Sequence, residues 1–159
     1  MLMKKLFYLL LPALITFSGC TEEVTPSPYT YTKFFTGENS KTWKLKILEE
    51  TFDGKVIDRF TISCAADDRY IFFAETGHAF QAITGNNRCS TEEQGLIEDV
   101  WTFNNASATL TMVLPFFGVF SPLPFIVRDV DKNGMVLEIF LDQENTNSYR
   151  IHLDVVDED

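Results

Sequence analysis

Apolar and polar residues alternate along most of this chain, and that period constrains the fold more than any other feature. In residues 148–156, Arg150, His152 and Asp154 separate the apolar positions. A period of two with one apolar face is that of a half-buried β-strand. Comparable runs predict about nine strands, at residues 42–50, 55–63, 69–74, 78–84, 98–103, 108–114, 124–130, 135–141 and 148–156.

Dipeptides that favour tight turns separate several of these runs. They are Asp53-Gly54, Thr76-Gly77, Asn104-Asn105 and Asn133-Gly134. Such pairs suit the positive φ angles of short hairpins. No long helical period interrupts the strands, although residues 64–68 and 90–95 could each form one helical turn. The pattern predicts an all-β fold, an antiparallel up-and-down meander of about 8–9 strands that closes into a barrel and so removes its exposed edges. A β-sandwich is the alternative.

The N-terminus has the layout of an export signal. Lys4 and Lys5 precede an uncharged apolar run at 6–17, which is shorter than the roughly 20 residues a spanning helix needs. Small residues then lead to Cys20, and this order resembles a bacterial lipobox, in which the cysteine receives lipid and becomes the mature N-terminus. We expect residues 1–19 to be a lipoprotein signal peptide. The alternative is an ordinary cleaved signal.

A polar, proline-containing segment follows the cysteine. Residues 20–33 are therefore predicted to be the lipidated Cys20 and a flexible tether, and residues 34–159 a single domain. The expected location is the cell envelope, as an outer-membrane lipoprotein held by its lipid. Glu22 and Glu23 suit export to the outer face, or they are simply solvated, which leaves the periplasmic or surface face open.

The charge of the chain excludes one class of partner. The net charge is −10, and the predicted signal carries two lysines and no acids, so the remaining chain is more acidic still. Nucleic-acid binding requires clusters of Lys and Arg, and no nucleic acid is expected.

Only Cys64 and Cys89 remain if Cys20 carries lipid. Export places them in an oxidising compartment, where a disulfide is expected. Two reduced thiols are the alternative.

Several segments in order resemble lipocalin-like domains of cell-envelope lipoproteins of Bacteroidota-type bacteria. The residues are the glycine and Lys-Thr-Trp-Lys-Leu in 34–46, the Cys, Asp-Asp and aromatic strand in 64–80, then Cys89, and the second Trp strand in 99–103. The resemblance covers about 34–157 and implies a lipocalin-like barrel or half-barrel with an interior pocket. It implies no particular ligand.

Motifs of enzymes and metal sites are weak. Asp129, Asp131, Asn133 and Gly134 match the start of a calcium loop, but the twelfth position is Phe140 where a carboxylate is required. The two histidines stand in no zinc or hydrolase motif, and the adjacent Asp67 and Asp68 would point apart on a strand. We expect no enzyme activity, no metal and no cofactor.

Aromatic residues supply the functional hypothesis. The chain has 15 Phe and two Trp, and Trp43, Phe72, Trp101 and Phe103 are candidates either to line a pocket or to fill the core. The leading expectation is a barrel that binds a small apolar ligand. The alternative is a filled barrel that docks on another envelope protein through the apolar segment 114–125, which otherwise packs on its own domain. An enzyme at the barrel mouth is a third, weaker class.

The first prediction concerns the anchor. Replacing Cys20 with Ser removes the lipid acceptor, so Cys20→Ser should move the protein from the membrane fraction to the soluble fraction of its own host. Partitioning is followed by detergent phase separation and immunoblotting. Unchanged partitioning of the variant would rule out lipidation at this residue.

Overall fold

The computed structural model describes residues 28–156 and is almost entirely β-sheet. Within these residues it contains one α-helix and ten strands. They are α1 (Pro28–Thr36), β1 (Ser40–Phe52), β2 (Lys55–Phe60), β3 (Arg69–Phe73), β4 (Ala79–Ile83), β5 (Leu96–Val100), β6 (Thr102–Asn104), β7 (Thr109–Met112), β8 (Leu123–Val130), β9 (Gly134–Phe140) and β10 (Asn147–Val155). The predicted signal and the start of the predicted tether lie outside the described residues.

Nine strands follow one another in a single antiparallel path, β5-β4-β3-β1-β10-β9-β8-β7-β6. Its two end strands, β5 and β6, are consecutive in the chain and are separated only by Trp101. The sheet therefore curls round until its ends meet, as a nearly closed barrel with one unsealed seam. The predicted all-β antiparallel meander is confirmed, and the strand predicted at 98–103 is divided in two at Trp101.

β1 is the longest strand, and it pairs with three other strands. Its first residues pair with β3 and its last residues with β2, both on the same edge, while β10 pairs along the other edge. Register shifts fall after Leu45, opposite β10, and between Glu50 and Thr51, opposite β2. Such bulges increase local twist, which helps a sheet to close.

The apolar residues of the alternating pattern pack together in the interior of the barrel. Inward side chains of the strands form one hydrophobic cluster whose members are almost fully buried. Its largest members are Trp43, Trp101, Tyr70, Phe35, Phe72, Phe80, Phe125, Leu110, Met112, Leu114, Met135 and Leu137. Burial of apolar area at about 25 cal/mol per Å² is the main stabilising contribution to such a fold.

The turns follow the predicted chemistry only in part. Asp53 and Gly54 both have positive φ, as the hairpin between β1 and β2 requires. Asn133 and Gly134 do not, because the Asp131 carboxylate accepts hydrogen bonds from both of their N–H groups, each at 2.7 Å. This Asx-type turn, capped by the Asp131 side chain, reverses the chain direction without positive φ at these residues.

The helix α1 is an element that the sequence pattern missed. Its first six residues lie in the segment predicted as tether, and its apolar Phe35 reaches the core. No helix among residues 28–156 is long and apolar enough to cross a membrane. Residues 63–65 form a short 3₁₀ turn near the expected position, whereas 90–95 forms no helix.

The expected disulfide is present between Cys64 and Cys89. It joins the 3₁₀ turn after β2 to the loop between β4 and β5, and these otherwise have no strand pairing to hold them.

Removing the disulfide through Cys64→Ala with Cys89→Ala should lower the free energy of unfolding by about 3 kcal/mol, because the bond closes a loop of 25 residues. Urea denaturation measures this change. Equal stability of the double variant and the parent would contradict it.

Candidate functional site

The four aromatic residues predicted from sequence come together around one side chain, that of Phe35 in α1. The Phe35 ring lies 6.4 Å from Phe72, 6.0 Å from Trp101 and 5.0 Å from Phe103, measured between ring centroids. Trp43 reaches the same residue differently, since its indole Nε1–H donates to the Phe35 carbonyl oxygen at 2.9 Å. The helix that the sequence analysis missed thus supplies the centre of the predicted cluster.

Three members of this cluster have no free space beside their rings that could hold a ligand. Trp43, Phe72 and Trp101 are at most 1% exposed to a water-sized probe, and Phe35 is fully buried. A ligand-sized void next to these rings would give them accessible surface, so the space among them is filled by protein. Trp43, Phe72 and Trp101 therefore act as core residues in this structure, and Phe103 is only partly buried.

Two open clefts flank the helix. One has a volume of about 450 Å³ and lies between Tyr31, Phe103 and the end of β8. The other, of about 380 Å³, lies between Thr36, His78 and Trp101. The His78 ring stacks on Trp101 with centroids 4.5 Å apart and shields the indole from solvent. A ligand entering either cleft would meet the Phe35 cluster from outside rather than enter a preformed cavity.

The opposite end of the barrel is closed by the apolar segment 114–125. Leu114 and Phe125 are buried, and Phe117 packs near the rings of Phe125 and Tyr149, with centroids 6.4 and 6.2 Å away. The exposed residues of the segment are Gly118, Val119, Ser121, Pro122 and Pro124. This segment mainly closes its own domain, which reduces the surface it could offer to a partner.

A row of alternating charge crosses five neighbouring strands on the outer face of the barrel. Paired positions place Arg59 of β2 opposite Glu49 of β1, Glu49 opposite Arg150 of β10, and Arg150 opposite Glu138 of β9. Arg128, in the bulge of β8, takes the fifth place and binds Glu138. We call these five residues the charge row. Opposite charges directly across a ladder stabilise strand pairing.

The two glutamates of the charge row are almost fully buried although they point outward. Glu138 accepts hydrogen bonds from Ser148 Oγ at 2.5 Å and Arg150 Nε at 3.2 Å, besides Arg128. Burial alone would raise the pKa of Glu138, but the Ser148 hydroxyl and the Arg128 guanidinium hold that pKa below its usual value. Its carboxylate is therefore ionised at neutral pH and fixed by its neighbours.

Glu49 is held in the same way nearer the edge. Arg59 contacts one carboxylate oxygen, and His152 Nε2 lies 3.2 Å from the other without an aligned hydrogen bond. Burial opposes ionisation, yet His152 and Arg59 together keep the pKa of Glu49 below its usual value. His152 and Arg59 thus form the polar contacts of Glu49 on the outer face.

Asp67 and Asp68 bind backbone beside the disulfide. Asp68 Oδ1 accepts the Gly85 N–H at 2.9 Å, and Asp67 Oδ2 accepts the Asn86 N–H at 2.8 Å. A Cβ at Gly85 would lie only 2.0 Å from Asp67 Cγ, so the close approach requires glycine. Burial raises the pKa of Asp68. Both carboxylates fix the loop that carries Cys89.

The hairpin of β1 and β2 presents the most exposed apolar surface of a strand pair. All six residues of β2 are exposed, and Phe52 and Ile57 are 52% and 58% exposed. Within residues 28–156, β2 pairs only with β1, so its other edge carries unpaired backbone groups. Sequence reasoning assigned a strand here, but it could not show that the strand leaves the barrel wall.

No protein-family model matches this sequence, and no curated protein matches it. Among residues 28–156, no group of three His, Cys, Asp or Glu side chains is placed to hold a metal ion. The site must therefore be interpreted from its own geometry.

Replacing Phe35 with Ala tests whether the aromatic cluster is core. The change removes a buried ring that packs against three aromatic rings, so the free energy of unfolding should fall by about 3–5 kcal/mol. Phe52→Ala is the matched control, because Phe52 is half-exposed and should cost much less. Urea titration followed by tryptophan fluorescence gives both values. Equal losses in the two variants would show that Phe35 is not part of the core.

Proposed function

We propose that this chain is a lipid-anchored lipoprotein of the cell envelope whose filled, lipocalin-like barrel docks on another envelope protein. The observation that carries the proposal is the packed interior, in which the candidate ligand-lining residues contact one another and Phe35 instead of a cavity. A barrel of this size holds either packed side chains or one small ligand, and packing leaves the outer surface to do the work.

The docking surface is the β1–β2 hairpin. Its exposed apolar residues are Phe52, at the end of β1, and Val56, Ile57 and Phe60 along β2, which lies off the path of the barrel strands. Exposed apolar residues grouped in this way mark interaction sites on soluble domains. The apolar segment 114–125, by contrast, is largely occupied by its own core.

The position of the hairpin suits a protein partner rather than the anchoring membrane. α1 follows the predicted tether, and it lies at the end of the barrel where β1 begins. β1 has 13 residues and rises about 3.3 Å per residue, so the hairpin tip lies roughly 40 Å away along the strand. The tether thus enters at one end and the apolar hairpin projects from the other.

Binding of an apolar ligand is the second candidate, and the two clefts beside α1 favour it. The ligand would have to displace Phe35 from its ring contacts.

Site-specific cross-linking in the native host tests the docking proposal. A photoreactive phenylalanine analogue at Ile57 should give one cross-linked species of defined mass, because the partner covers this exposed residue. The matched control is Tyr31, which is 42% exposed on α1 at the other end and should give none. Phe60→Lys should abolish the Ile57 product, and circular dichroism verifies that the variant remains folded. No product at Ile57, or the same product at both positions, would contradict the proposal.

A further inference from the structure

The open edge of β2 has the chemistry of a strand-addition site. β2 is bonded on one side only, and its residues are exposed along its whole length. Unpaired N–H and C=O groups on such an edge are a template for another extended segment. β2 has no proline, and its charged residues are Lys55, Asp58 and Arg59. The Asp58 carboxylate accepts the Arg59 N–H at 2.8 Å, so an added strand must displace this contact.

The charge row indicates what such a segment must carry. Its signs alternate from β8 to β2, and the row ends at the edge with Arg59. The Arg59 side chain is 61% exposed and contacts Glu49 through one nitrogen, Nη2. A guanidinium has five N–H donors, so Arg59 retains donors for a second carboxylate on its open side. Continuing the alternation by one strand places an acidic residue opposite Arg59.

Arg59 directly follows the acidic Asp58, and the other residues around it in β2 are apolar. Phe60 follows it on the other face of β2, and Val56 and Ile57 precede it, all exposed. A partner strand would cover them with apolar residues at the positions beside its acid. Main-chain hydrogen bonds would supply affinity, and these side-chain positions would supply specificity.

A second copy of this chain does not fit the same edge. Two copies related by a two-fold axis pair residues that lie on the same face of the sheet. Asp58 and Arg59 are neighbours and so face opposite sides, as their partners Glu50 and Glu49 confirm. Asp58 is the only acid in β2, so self-pairing leaves Arg59 without a carboxylate. The net charge of −10 also opposes association of two copies.

We propose that β2 accepts an extended segment of a partner protein as an added strand, with an acidic residue of that segment opposite Arg59 and apolar residues flanking it. This inference rests on the proposed docking function and specifies the partner's chemistry.

The probe is a fluorescein-labelled seven-residue peptide of valine, threonine, valine, glutamate, valine, threonine and valine. Fluorescence anisotropy measures its binding to the full-length chain, up to millimolar peptide. The glutamate peptide should bind about five-fold more tightly than one with lysine at the centre, the upper range for a cross-strand charge pair. A glutamate peptide N-methylated along one edge should not bind. Hydrogen exchange should slow at residues 55–60.

Arg59→Gln keeps the aliphatic stem as far as Cδ and removes the charge, so it should abolish the preference for glutamate over lysine. Arg128→Gln is the matched control, because Arg128 belongs to the same charge row but lies on β8, which is paired on both sides. Circular dichroism verifies that both variants remain folded. The control should keep the preference.

Other outcomes overturn the inference in distinct ways. Equal binding of the glutamate and lysine peptides, no binding of either, or protection at β5 instead of β2 would reject strand addition opposite Arg59. Dimerisation through β2 in sedimentation would make a second copy the occupant. A cross-link from Ile57 without Arg59-dependent peptide binding would leave the docking function standing and reject only the strand mode. Peptide binding without any cross-link in the host would instead reject the docking function.

Discussion

The packing of Phe35 against three aromatic rings fills one end of the barrel interior, and the rest of the structure depends on it. The ring enters from α1 and fills the space between Phe72, Trp101 and Phe103, while the Trp43 indole is fixed by the Phe35 carbonyl. At the other end the segment 114–125 fills the corresponding space with Phe117. Because both ends are closed by the chain itself, the interior contributes stability and the outer surface remains for recognition.

The outer surface has two regions, one covered by ion pairs between neighbouring strands and one with exposed apolar side chains. Across β8, β9, β10 and β1 the charge row covers the barrel wall with ion pairs whose glutamates are buried under arginines. Breaking one partner of a buried pair is costly, because it leaves the other charge without compensation. Beyond β1 the row ends, and the β1–β2 hairpin leaves apolar side chains and backbone groups in solvent. This edge is the docking site that we propose.

Much of the fold could be predicted from the sequence because burial alternates along each strand. The spacing in 148–156 and 135–141 indicates β10 and β9 to within one residue. The break at Trp101 could not be predicted, because it depends on bonds to distant residues: its backbone N–H donates to the His78 carbonyl and its indole N–H to the Phe73 carbonyl. α1 was missed because its proline and threonines suggest an extended tether, and only the tertiary contacts of Phe35 reveal its role.

The candidate site was predictable in composition but not in arrangement. Sequence marked Trp43, Phe72, Trp101 and Phe103, yet it could not decide between core and pocket, since that depends on whether another residue fills the space. Phe35 fills it. The charge row could not be predicted from the sequence for a different reason. Glu49 and Arg150 are about a hundred positions apart, and only the register of β1 with β10 brings them opposite each other.

Native mass spectrometry of the protein purified from its own host tests the central claim, that the barrel interior is filled by its own side chains. The account predicts one mass, that of the lipid-modified polypeptide, unchanged when the protein is unfolded. A stoichiometric small molecule that stays with the folded protein and is released on unfolding would contradict it.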